Sequence, residues 1–74
     1  MKDFNFKIVQ HFGVLGRRGK WDLELNSVSW AGDEPKWDIR SWSPDHDRCG
    51  KGITLSTEEA IKLADLLKIE TFGD

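Results

Sequence analysis

Pro35-Lys36-Trp37-Asp38-Ile39-Arg40-Ser41-Trp42 is the stretch that decides the fold. Trp37 and Ile39 share one parity, while Lys36, Asp38, Arg40 and Trp42 share the other. A period of two marks a β-strand with one buried face. Pro35 suits the first residue of such a strand, where a missing N–H is tolerated. The polar face is unusual because it ends on a tryptophan. Trp37, in phase with Ile39, is expected in the core. Trp42, in phase with Lys36 and Arg40, is expected to present an exposed or ligand-facing ring.

Upstream, Trp21-Asp22-Leu23-Glu24-Leu25 alternates in the same way. The pattern slips at Asn26-Ser27, because Val28 and Trp30 fall on the parity of Asp22 and Glu24. A β-bulge near Asn26 would repair the register and bend the strand. The facing of Trp21 and Trp30 stays open at this point. Ala31-Gly32-Asp33-Glu34 is a turn. Earlier still, Phe4, Phe6, Ile8, Gln10 and Phe12 share one parity, as expected for a strand with one buried face. Gly16-Arg17-Arg18-Gly19 is the turn that follows.

Downstream, Ser43 to Gly50 is a polar loop, and Lys51-Gly52-Ile53-Thr54-Leu55 is a short strand. Ser56-x-x-Glu59 is a capping box that starts a helix. Ala60, Leu63, Ala64 and Leu67 form its apolar stripe, which Ile61, Leu66 and Ile69 widen. The helix is expected to end near residues 68–70, with Gly73 too late for a tight cap. The order predicts a single α+β domain over residues 1–74: a bent four-stranded antiparallel sheet followed by one C-terminal helix, ββββα.

Composition agrees with a globular domain, with 38% hydrophobic and 32% charged residues. No apolar run approaches the ~20 residues that cross a bilayer. The N-terminal residues lack a signal-peptide h-region. Secretory, membrane and multidomain readings are therefore not expected. A chain this short buries only ~60% of its unfolded surface. That disfavours an enzyme that must enclose its substrate, and no enzymatic activity is expected. The lone Cys49 cannot form an internal disulfide and fits a reducing cytoplasm. An unstapled domain of this size needs buried area from elsewhere. With apolar residues on two sides of the helix, a homodimer is expected.

The net charge of −2 conceals an asymmetry. Residues 1–20 carry five basic groups against one acid, and residues 57–74 carry five acids against two lysines. Trp21, Trp30, Trp37 and Trp42 are interleaved with Arg17, Arg18, Lys20, Lys36, Arg40 and Lys51. Unpaired nucleic acid is bound by two terms, phosphates in a basic groove and bases stacked on aromatic faces, the latter giving ~1–3 kcal/mol per base. Other constellations are weaker. His46-x-x-Cys49 is half a metal site at most, and the spacing of His11, Asp45 and Asp47 matches no zinc pattern. A Cys–His nucleophile lacks a third orienting group. Gly50-Lys51-Gly52 enters a strand and is no phosphate loop. No metal or cofactor is expected.

Trp37-Asp38-Ile39-Arg40-Ser41-Trp42, a polar loop, and Lys51-Gly52-Ile53-Thr54-Leu55-Ser56 before a helix resemble the transcriptional positive cofactor four family. Val28-Ser29-Trp30, Glu34-Pro35-Lys36 and Trp42-Ser43-Pro44-Asp45-His46 look like its bacterial YdbC-like branch. The resemblance covers roughly residues 20–68. It implies a strongly bent sheet and helix, a homodimer, and sequence-tolerant single-stranded DNA binding across the sheets. It places phosphate-binding roles on Arg40 and Lys51 and an aromatic role on Trp42, although the eukaryotic pattern has two adjacent aromatics where this chain has Trp42-Ser43. The basic first turn matches Arg17, Arg18 and Lys20 in character only. No counterpart of the basic, serine-rich regulatory tail is present, so a coactivator role is not carried over.

The expected nucleic-acid-binding residues are thus Arg17, Arg18, Lys20, Trp21, Trp30, Lys36, Arg40, Trp42 and Lys51. The expected partners are single-stranded DNA and a second copy of the chain, in the cytoplasm or at the nucleoid, with no membrane. The alternatives are RNA as ligand, or a protein-interaction module anchored by tryptophan and arginine.

Overall fold

A computed structural model describes residues 5–72 of the chain. Four strands, β1 (Phe6–Arg18), β2 (Trp21–Trp30), β3 (Lys36–Trp42) and β4 (Cys49–Leu55), precede one helix, α1 (Thr57–Phe72). The strands form one antiparallel sheet in the order β1-β2-β3-β4, and α1 packs on β3 and β4. This is the expected ββββα architecture. Phe4 and Gly73 lie outside the described residues, as does the side chain of Ile69. The helix runs past the expected 68–70 to Phe72.

The expected bulge near Asn26 is not there. β2 is regular throughout, and Asp22, Glu24, Asn26, Val28 and Trp30 all share one face. That face simply changes from charged to apolar along the strand. The irregularities lie in β1, whose 13 residues run against 10 in β2. Register shifts fall between Ile8 and Gln10, His11 and Gly13, and Val14 and Gly16. The pairing skips Val9, Phe12 and Leu15. Ile8, His11, Val14 and Arg17 therefore stand opposite Val28, Asn26, Glu24 and Asp22 on one face. This three-residue spacing replaces the single parity expected for Phe6 to Phe12.

Each bulge adds chain on one side of the strand and bends it. The skipped residues lie on the side of Leu25 and Trp37: Phe12 stacks on Trp37 at 4.8 Å and Leu15 joins their cluster. That side is convex, and the opposite side is curled inward. The curl explains why Val28, Asn26, Asp38 and Trp42 are 0% exposed although α1 lies on the other face. The expectation of an exposed Trp42 is overturned. The sheet's curvature folds its ring in among Phe6, Trp30 and His46, with ring centroids at 5.1, 6.3 and 5.7 Å.

The convex side is apolar and incompletely covered. Leu15, Leu25, Trp37, Ile39 and Leu55 line a groove of about 380 Å³ with Ala60, Ile61, Leu63, Ala64 and Leu67 of α1. Leu15, Ile53, Ile61, Leu66 and Leu67 are each at least half exposed. No helix among the described residues is long and apolar enough to cross a membrane.

Candidate nucleic-acid interface

The concave face takes its chemistry from alternate residues of β2 and β3. Register sets Glu24 opposite Arg40, Asn26 opposite Asp38 and Val28 opposite Lys36. The Arg40 guanidinium lies over the Trp30 ring, 4.6 Å from its centroid. Arg40 Nε donates to Asp38 Oδ1 at 2.8 Å, and Nη1 donates to the Gly50 carbonyl at 3.3 Å. Asp38 is fully buried, and its Oδ2 has no hydrogen-bond partner among the described residues. Arg40 is thus the counter-charge that makes this carboxylate tolerable inside the curl. Burial lowers the guanidinium pKa, but the bond and charge of Asp38, helped by Cys49, outweigh it, and the net direction is upward.

Gly52 stands opposite Arg40 in β4. A Cβ on Gly52 would collide with the Arg40 Cβ and with the Ile39 carbonyl. Glycine here is what lets β4 pass close beside Arg40.

Other expected residues are placed differently. Trp30, Arg40, Lys36 and Arg17 belong to the concave face. Arg17 Nε also pairs with Asp22 at 3.2 Å, an exposed contact of little energetic worth. Trp42 is on the same face but buried, its ring nearly parallel to that of Trp30 at 6.3 Å between centroids, and it offers no ring to a ligand. Trp21 lies on the convex side, against the Ser41–Gly50 edge and below the Arg48 guanidinium at 5.8 Å. Arg18 and Lys20 are exposed beside the first hairpin turn, and Lys51 is exposed at the irregularity in the β3–β4 pairing.

Sequence reasoning missed a polar network on the same face. His11 Nδ1–H donates to Asn26 Oδ1 at 2.7 Å, and Asn26 Nδ2 donates to Glu24 Oε1 at 3.0 Å. From the loop between β3 and β4, His46 Nε2–H donates to both Glu24 oxygens at 2.9–3.0 Å. Both histidines of the chain thus converge on one carboxylate that is 3% exposed. The even spacing of Glu24 and Asn26 could have signalled it, but His11 joins them only through the β1 bulges. The loop is held by Ser43 and Asp45. The Asp47 N–H and the Ser43 hydroxyl both donate to Asp45 Oδ1, and they hold its carboxyl below the ordinary aspartate range. No group of three or more His, Cys, Asp or Glu suited to a metal occurs among the described residues.

The chain is 47% identical over 66 residues to a protein of Treponema pallidum (strain Nichols) described only as an uncharacterized protein. The match covers 88% of this chain and 78% of that protein. The two belong to one family. No known family model matches the chain.

Proposed function

We propose that the protein is a homodimer that binds single-stranded DNA in a sequence-tolerant way, through the concave faces of its sheets. The observation that carries this reading is the Arg40 guanidinium stacked over Trp30 on a sheet face that α1 leaves free. A cation and an indole in contact supply the two terms of single-strand binding in one place. Lys36 and Arg17 extend the positive charge along the same face, and Lys51, Arg18 and Lys20 provide further cations at its edges. The acidic start of α1, Glu58 and Glu59, belongs to the element on the opposite side, which softens the difficulty of a net charge of −2. The resemblance to the positive cofactor four family points to the same activity.

The half-exposed apolar side chains of the convex side and α1 support the dimer. A second copy would cover them and leave both concave faces open.

Tryptophan fluorescence during titration with an oligothymidylate tests the reading. Quenching is expected, with affinity falling as salt rises, at a slope near −0.7 per phosphate contacted. Lys36→Ala and Arg17→Ala should each flatten that slope and weaken binding to all sequences alike. Absence of both quenching and salt-dependent binding at low ionic strength overturns the proposal. A matched RNA strand and a duplex, titrated in parallel, separate RNA as ligand from DNA.

A further inference from the structure

Building on the proposed single-strand binding, we infer that the concave face holds a pocket that reads the exocyclic amino group of one nucleobase, with Glu24 as the acceptor. A cavity of about 250 Å³ opens there, lined by Ile8, His11, Glu24 and His46. Sites for drug-sized ligands run ~300–1,000 Å³, so this one suits a single planar ring. Its walls are one aliphatic side chain and two half-exposed imidazoles, and imidazole is among the rings on which bases stack. Its floor is a carboxylate almost fully withdrawn from water.

The floor selects the ligand. Asn26 and His46 hold the Glu24 carboxylate in place before anything binds. A carboxylate offers about four acceptor positions, and among the described residues Oε2 receives only the His46 N–H, so it keeps capacity for another donor. An anionic floor repels phosphate, so the nucleic-acid backbone stays at the rim and a base turns inward. Cytosine presents an amino group where uracil and thymine present a carbonyl, and a carbonyl against a buried carboxylate leaves both acceptors unpaired. The pocket therefore favours cytosine over uracil.

Oligodeoxycytidylate and oligodeoxyuridylate of equal length, titrated at one salt concentration and mildly alkaline pH, test this directly. The expected result is about five- to tenfold tighter binding of the cytidylate, the scale of one added hydrogen bond. Glu24→Gln should bring that ratio to one or below. Ile8→Phe, which fills the cavity from its wall and leaves the carboxylate in place, should do the same, and it decides the matter if Glu24→Gln does not fold. Equal binding of both strands by the unaltered protein overturns the pocket alone, as does a preference that survives Ile8→Phe. Failure to bind either strand overturns the single-strand reading beneath it.

Discussion

Arg40 stands where the family resemblance implies a phosphate ligand, and the fold gives it a second employment. Its side chain is 15% exposed, against a carboxylate on Asp38 that is 0% exposed. Arg40→Ala would leave that carboxylate buried and unpaired, a defect of about 3–5 kcal/mol. Chemical denaturation should show that loss. Asp38→Leu combined with Arg40→Leu removes the orphaned charge and should lose far less. If Arg40→Ala alone is as stable as the unaltered protein, the pair does not carry the structural weight assigned to it. The same pair explains why Asp38-Ile39-Arg40 is legible as a strand but not as a site. Alternation shows which residues share a face, but not that the face is curled in on itself. Asp45 yields a further residue-scale test. Its depressed carboxyl pKa means that the charged form stabilises the Ser43–Arg48 loop above the ordinary aspartate pKa, and that this contribution disappears as pH falls through the lower folded value. An NMR titration should place the Asp45 midpoint below that of an unfolded peptide. Ser43→Ala should move it back upward.

At the level of elements, legibility depended on regularity. β2 and β3 pair without a shift over seven positions, so alternation reads them correctly. The capping box is equally local: Ser56 N–H donates to Glu59 Oε1 at 2.9 Å, and Glu59 N–H donates to Ser56 Oγ at 3.1 Å. Ser56→Ala should cost about 1 kcal/mol in denaturant melts, and an unchanged midpoint would show the cap to be dispensable. β1 is different because its side-chain period is set by pairing with β2. Read alone, Phe6, Ile8 and Gln10 suggest a flat strand. Only the 13-to-10 mismatch in length reveals that Val9, Phe12 and Leu15 are extra residues on the outer side. The burial of Trp42 follows from that curvature, which alternation along β3 alone does not reveal.

For the molecule as a whole, the surface is too large for its mass. An 8.5 kDa chain exposes 5585 Å², whereas a folded monomer of that mass is expected to expose roughly 4,650 Å². Among the described residues, Val28 and Trp42 are the only buried hydrophobic side chains, and both lie on the concave side. The convex side, with Ile61 59% and Leu67 54% exposed, has the apolar material of a core but not the cover. In the proposed dimer a second copy would supply that cover, since an interface between like surfaces repeats the same patch on both partners. Sedimentation at micromolar concentration should therefore give a species of twice the 8.5 kDa chain mass. Its melting temperature should rise with protein concentration, because association stabilises by mass action. Ile61→Glu places a charge in the groove and should shift the sedimenting species to the monomer, with a lower and concentration-independent melting temperature. Lys62→Glu, a charge change at the neighbouring helix position, should sediment as the unaltered protein does. A monomer from the unaltered chain, melting at one temperature at every concentration, would mean that this small domain tolerates an open apolar face, and the dimer would have to be given up.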